Sequence, residues 1–272
     1  MHPDLIDIGI LHLKTYGFCM ALGFLLCWKL AEKVSGRKDL GDLFMYLMLA
    51  GVAGARIAYV IEHWKSEFAA HPLSVIRVDQ GGLVFYGGLI LAIIVYFAWC
   101  RIKRLSFLET GDIMCAVLPL GHAFGRIGCF FYGCCYGKVS DSALAVRFPV
   151  HSPAWYEQVS SGLINASASS SLPVLPTQLF ESASLLLLFA VLMFIYLRLV
   201  KTGRAASGLV VGSYLVLYAI LRFPMEFLRG DPRAEVGFLS IAQTISLGIF
   251  TLGVAFLAFS LVKTRRARLT AK

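Results

Sequence analysis

The chain has 272 residues, 58% of them hydrophobic and 15% charged, with a formal net charge of +9. A soluble domain carries about 25% charged residues, so the composition excludes an ordinary soluble enzyme and points to a polytopic membrane protein. The positive charge by itself would suit nucleic acid, but its distribution along the chain excludes that partner.

The N-terminal stretch MHPDLIDIGILHL has no basic leading region and no clear cleavage site, so no removed signal peptide is expected. Seven apolar stretches follow, at 15–32, 43–62, 82–100, 111–132, 178–200, 207–228 and 241–262. Each is near the ~20 residues that a helix needs to cross hydrocarbon. The expected fold is all-α: one integral membrane domain over 1–272 with about seven transmembrane helices. A longer segment at about 133–177 joins the fourth and fifth spans. Within it, Ser160–Ser171 (SSGLINASASSS) reads as a flexible low-complexity tip, and its Asn165-Ala166-Ser167 triplet as a chance match to a glycosylation acceptor.

Basic residues fall on alternate connections. Lys33, Arg37 and Lys38 follow span 1, and Arg101, Lys103 and Arg104 follow span 3. Arg198, Lys201 and Arg204 lie around the end of span 5; Lys263, Arg265, Arg266, Arg268 and Lys272 close the chain. The opposite connections hold Lys65, Arg77, Lys138, Arg147 and Arg233. By the positive-inside rule the N-terminus is outside and the C-terminus cytoplasmic. The basic tail is then a topology anchor at anionic headgroups, and no nucleic acid is expected.

Three arginines lie inside spans: Arg56, Arg126 and Arg222. Each sits about six residues before the outer end of its span, about 9 Å below the interface at ~1.5 Å per residue. Intramembrane guanidiniums face partners, cavities or polar ligands, and three at one depth suggest a pocket for an anion such as a lipid phosphate. Tyr16 and Tyr86 lie near the outer ends of spans 1 and 3, in the same leaflet. Glu226 is four residues from Arg222, close enough to neutralise it on one helix face, and Arg56 has Glu62 within reach. His122, Arg126, Cys129 and Gly133 share one face of span 4, so His122 is a candidate base one turn from a phosphate binder, or a buried hydrogen-bonding group. Glycines, among them Gly51, Gly54, Gly87, Gly88, Gly125, Gly128 and Gly137, cluster around these residues and permit close helix approach.

At GRIGCFFYGCCYG (Gly125–Gly137) the chain resembles bacterial prolipoprotein diacylglyceryl transferases, whose pattern runs Gly-Arg-Ile/Leu-Gly-Asn-Phe-x-Asn-Gly-Glu-x-x-Gly. Other segments carry the resemblance along the chain: Tyr16-Gly17, GARIAY with Arg56 and Tyr59, GGLVFYGGL, PTQLFE, Tyr218 with RFPMEFLRGD, and Gln243. The resemblance implies transfer of the diacylglyceryl group of phosphatidylglycerol to the lipobox cysteine of preprolipoproteins. The product is a thioether, glycerol phosphate leaves, and no cofactor takes part. It implies a multi-pass protein of the bacterial cytoplasmic membrane with its site towards the outer leaflet. It makes Arg126 and Arg222 headgroup and leaving-group binders, Tyr16 a positioning donor and Glu226 the residue that orients Arg222. Tyr86 and His122 complete the catalytic set, and Arg56, Gly128, Cys129, Gly137 and Tyr218 line the substrate site.

The chain departs from the family at several points. Tyr86 stands where a histidine is usual, and a phenol is a poor base near neutral pH. Cys129, Tyr132 and Cys134 replace Asn, Asn and Glu, and Leu175 replaces a second histidine. The base is therefore unassigned, with His122 as the substitute candidate. The cysteines lack a CxxC pair or His ligands at metal spacing, so no metal is expected. Two other classes stay open. One is a lipid-binding homologue or transporter without chemistry. The other is a membrane thiol-redox protein using Cys129, Cys134 and Cys135, with a Cys129–Cys134 disulfide as one form; the lack of a second thiol pair counts against it.

Overall fold

The structure is a computed structural model that describes residues 4–8, 11–69, 71–77 and 82–270. Lys272, the last residue of the basic tail, lies outside them, as do residues 1–3 of the N-terminal stretch. Eight helices form the body: α1 (Thr15–Ser35), α2 (Leu40–His63), α3 (Phe85–Ile102), α4 (Phe107–Tyr132), α5 (Pro153–Ser160), α6 (Thr177–Ile195), α7 (Leu209–Leu228) and α8 (Ile241–Thr270). Two short antiparallel pairs, β1 (Asp4–Ile8) with β2 (Leu11–Lys14) and β3 (Glu235–Val236) with β4 (Leu239–Ser240), precede α1 and α8.

Among the described residues, six helices are long and apolar enough to cross a membrane: α2, α3, α4, α6, α7 and α8. In α1, Lys29, Glu32 and Lys33 dilute an otherwise apolar helix of 21 residues. Large apolar side chains stand exposed on these helices, including Ile61 on α2, Ile90 on α3, Leu187 and Phe194 on α6 and Leu252 on α8. Surfaces of that extent are stable only against hydrocarbon, and the chain is a multi-pass membrane protein. Helix α8 runs to Thr270, eight residues past the expected span.

The described residues fall into two compact units. In the unit of residues 31–110, α2 and α3 pack antiparallel along glycine. A Cβ at Gly54 would lie 2.5 Å from the Gly87 carbonyl oxygen, and one at Gly88 would lie 2.5 Å from that of Gly51. Small residues replace the hydrophobic driving force that hydrocarbon cannot supply between helices.

The other unit, residues 1–30 with 111–272, uses the same device twice. Gly121, Gly125 and Gly128 form a stripe on α4 against Cys27, Met20 and Tyr16 of α1, and the Cys27 thiol donates to the Val117 carbonyl at 3.1 Å. Gly212 of α7 meets Leu257 of α8, and Gly253 of α8 meets Leu215 and Val216 of α7. Ser260 Oγ donates to the Ala206 carbonyl at 2.9 Å at one end of that pair.

A buried carboxylate fixes α7 to α4. Asp112 is 0% exposed. One oxygen accepts from Gly208 N at 2.7 Å, and the other from Val210 N at 2.9 Å and Val211 N at 3.0 Å. These are first-turn amides of α7, which have no partners within their own helix, and the negative charge suits the positive end of the helix dipole. Asp112→Ala is expected to destabilise the protein by about 3 kcal/mol, since three buried donors lose a charged acceptor. Asp112→Asn, which keeps one acceptor, should lose less. Thermal unfolding in detergent, read as the midpoints of the two variants, checks the order.

The 133–177 segment is more structured than its composition implies. Tyr136, Phe148, Ala154 and Val174 form a buried cluster with Phe130 and Val146 against it. Burial pushes the Tyr136 phenol up to about 12, so it packs as a neutral group. The expected flexible tip is pinned at two points. Trp155 Nε1 donates to the Ala168 carbonyl at 2.9 Å, and the fully buried Ser171 hydroxyl accepts from Phe148 N at 2.9 Å.

Candidate functional site

Nine of the eleven residues expected to line a site lie in the unit of residues 1–30 and 111–272: Tyr16, His122, Arg126, Gly128, Cys129, Gly137, Tyr218, Arg222 and Glu226. Gly128 lets α1 approach α4, and a Cβ there would sit 3.1 Å from the Tyr16 ring. One turn before Arg126 on α4, the His122 ring lies 5.7 Å from that of Tyr218 on α7.

The two arginines of this unit are each matched by a carboxylate. Arg126 Nη2 lies 3.0 Å from Glu181 Oε1, with side chains 16% and 6% exposed. Arg222 Nη2 lies 2.5 Å from Glu226 Oε2, the i,i+4 pair expected from the sequence. Glu181, on α6, also lines a cavity of about 10 Å³ with Tyr218 and Arg222. That volume is room for about one water. Glu181 therefore reaches α4 through its ion pair and α7 across the cavity.

Past the end of α7 the network continues. Arg229 grips Asp231 through two bonds of 2.8 Å, and Arg233 lies 3.1 Å from Asp231 and 3.7 Å from Glu226. Four guanidiniums thus face three carboxylates, leaving one positive charge in excess. Arg126 Nε and Arg222 Nη1 are buried donors with no hydrogen-bond partner among the described residues. A buried guanidinium with an N–H to spare can donate to an anionic oxygen.

The chain after α4 closes over these residues. Gly133 takes φ +84 and turns the backbone back. Gln178 Nε2 then donates to the Cys134 carbonyl at 2.7 Å and Thr177 Oγ1 to the Cys135 carbonyl at 2.9 Å. Gly137 N donates to the Leu175 carbonyl at 2.8 Å. A Cβ on Gly137 would meet the Leu175 Cβ and the carbonyl oxygens of Leu175 and Leu228, all at 2.8 Å. Two of these atoms are backbone and cannot swing away. Gly137→Ala is expected to cost about 1–3 kcal/mol as an overpacking change. Its check is a lowered unfolding midpoint with a matching loss of activity in membranes.

Cys129, Cys134 and Cys135 are free thiols, and their sulfurs lie within 4.8 Å of one another. The linear spacing carries no metal motif. The convergence comes from the turn at Gly133 and had no signal in the sequence. Glu181, Gln178, Arg229 and Asp231 stood inside recognised motifs, but only the fold gives each a contact.

Arg56 and Tyr86 belong to the other unit. Arg56 Nε donates to the Val75 carbonyl and Nη2 to that of Ser74, both at 2.8 Å, and Nη1 to that of Gly82 at 3.2 Å. Its partners in these bonds are backbone carbonyls and not Glu62, and they clamp the connection between α2 and α3. The Arg56 guanidinium also sits 5.2 Å from the Phe68 ring. A cleft of about 670 Å³ opens here, lined among others by Arg56, Tyr59, Glu67, His71 and Arg77. Tyr86, at the start of α3, is 49% exposed.

Comparison with known proteins agrees along nearly the whole chain. The family model described as prolipoprotein diacylglyceryl transferase matches residues 3–259. The chain is 32% identical to a phosphatidylglycerol–prolipoprotein diacylglyceryl transferase of Xanthomonas oryzae pv. oryzae (strain PXO99A), over 95% of this chain and 90% of that one. It is 33% identical to the protein of the same name from Stenotrophomonas maltophilia (strain R551-3), over 95% and 91%. It is 30% identical to phosphatidylglycerol–prolipoprotein diacylglyceryl transferase 2 of Clostridium perfringens (strain 13 / Type A), over 96% of each chain.

Proposed function

The chain belongs to the prolipoprotein diacylglyceryl transferase family, and from that premise we propose how its own residues divide the work. The enzyme transfers the diacylglyceryl group of phosphatidylglycerol to a prolipoprotein. The acceptor is the thiol of a lipobox cysteine. Its sulfur attacks the glyceryl carbon that carries the phosphate, the S–C bond forms as the C–O bond breaks, and glycerol phosphate leaves with the electron pair. The thiol proton passes to a base.

One observation carries this division of roles: among the described residues, one positive charge is in excess beside the buried Arg126 Nε and Arg222 Nη1, which have no hydrogen-bond partner there. A phosphodiester headgroup carries one negative charge, which balances that excess. As the leaving phosphate gains a second charge, donors already in position stabilise it without reorganising. Glu181 and Glu226 hold the two forks in place. Tyr16 and Tyr218 act as donors at the edge of the headgroup site, Gly128 and Cys129 form its floor on α4, and Gly137 seals its rim. In the other unit, Arg56 fixes the connection between α2 and α3. The site faces the outer leaflet, a reading that the basic residues on the alternate connections support.

His122 serves as the base. His122→Ala should slow transfer and flatten the acidic limb of the pH–rate profile, because the group whose protonation quenches the reaction is gone. A profile of unchanged shape removes His122 from the mechanism. The transferase reading itself is tested with phosphatidylglycerol labelled in its diacylglyceryl group and a lipobox peptide. Label moving to the peptide thiol is expected; lipid bound without transfer would identify a silent homologue.

A further inference from the structure

We propose that Cys129, Cys134 and Cys135 form a three-coordinate site for a soft monovalent d¹⁰ ion, copper(I). The geometry suits it. Three sulfurs around one ion, with metal–sulfur bonds of about 2.3 Å, stand about 4 Å apart, and these three already lie within 4.8 Å. Cys129 comes from the last turn of α4. Cys134 and Cys135 come from the turn that folds back on it, where Cys134 N donates to the Cys129 carbonyl at 3.2 Å.

The supporting shell is rigid. Gln178 and Thr177, both 0% exposed, hold the carbonyls of Cys134 and Cys135. Such outer-shell bonds orient ligands and stiffen a site before the ion arrives. The three cysteines are themselves only partly buried, so an ion has a way in.

The donor set selects the ion. Among the described residues no His, Asp or Glu joins the three sulfurs. Zinc held by three protein ligands needs a water or substrate in its fourth position, whereas copper(I), which thiolate donors also suit, is complete with three sulfurs. Binding releases three thiol protons to solvent and forms three Cu–S bonds, with no electron transferred. The resulting group carries two negative charges. The Arg229 and Arg126 guanidiniums lie close enough to Cys135 to act on its charge, and they offset part of the charge on the loaded site.

Binding stands independently of the transferase reading. One consequence rests on that reading: because Cys129 and Gly137 border the headgroup site, the bound ion would block transfer. The test of binding uses no activity assay. Full-length protein in detergent, reduced and kept anaerobic, is titrated with copper(I) buffered by a chromophoric chelator. The expected result is about one copper(I) withdrawn per chain, with X-ray absorption showing three sulfur neighbours and no nitrogen. Cys134→Ser should weaken binding by at least the ~10–100-fold typical of losing even an outer-shell partner, while Cys115→Ser leaves it unchanged. The absorption spectrum of the unmutated protein holds the test even if a serine variant misfolds. Failure to compete with the chelator, fewer than three sulfurs, or two of the three thiols already paired as a disulfide in the isolated protein would each overturn the proposal.

Discussion

Arg126→Ala is expected to lower transfer by about 10²–10³-fold or more, the scale of losing a preorganised donor at a developing charge. The change removes Nε, the donor proposed for the phosphate, and also strands Glu181, whose side chain is 6% exposed. Deleting one partner of a buried ion pair costs about 3–5 kcal/mol of stability, so a loss of activity alone would be ambiguous. The double variant Arg126→Ala/Glu181→Ala resolves it. Removing both charges should restore much of the unfolding midpoint and none of the transfer. If the double variant regains activity with stability, Arg126 is a structural residue and the headgroup role is wrong.

Arg222→Lys is expected to reduce kcat by about 100-fold with little change in folding. Lysine keeps the charge and can still reach Glu226, so the ion pair on α7 survives. What it lacks is the planar fork that bonds Glu226 through one nitrogen while presenting Nη1 to a second anion. The comparison therefore separates charge from geometry at one position. The check is steady-state transfer alongside the unfolding midpoint. Full activity in a stable Arg222→Lys protein would mean that charge alone suffices there.

The membrane architecture was legible because hydrocarbon imposes one rule, about twenty apolar residues per crossing, and that rule writes itself into linear sequence. Arg126 and Arg222 were legible for a related reason: an intramembrane guanidinium is rare enough to stand out. The i,i+4 pairing of Arg222 with Glu226 followed from helix periodicity alone. What was not legible depended on chain reversal. Arg56 looked like its two counterparts, but its donors close onto carbonyls about twenty residues later, a contact that no local pattern encodes. Glu181 read as part of a helix start, and only the packing of α6 on α4 gives it Arg126. The serine-rich stretch read as mobile from composition, yet burial of Ser171 and the Trp155 indole bond pin it. The cysteine triad is the clearest case, since positions 129, 134 and 135 match no metal spacing until Gly133 turns the chain.

The departures from the family pattern also acquire a physical setting. Two of them, Cys129 and Cys134, are sulfurs of the triad, which lies beside Arg126 and Arg229. Where the resemblance implies an amide and a carboxylate, this chain thus places thiols next to two guanidiniums. The proposed headgroup-binding role rests on the arginines and carboxylates and not on these cysteines.

The most direct measurement is a structure of the full-length protein with phosphatidylglycerol bound in a lipid nanodisc. The account predicts the headgroup phosphate within hydrogen-bond distance, about 3 Å, of Arg126 Nε and Arg222 Nη1, with Glu181 and Glu226 still holding the two forks. A phosphate found instead in the cleft beside Arg56 and Arg77, with Arg126 and Arg222 contacting only their carboxylates, would contradict it.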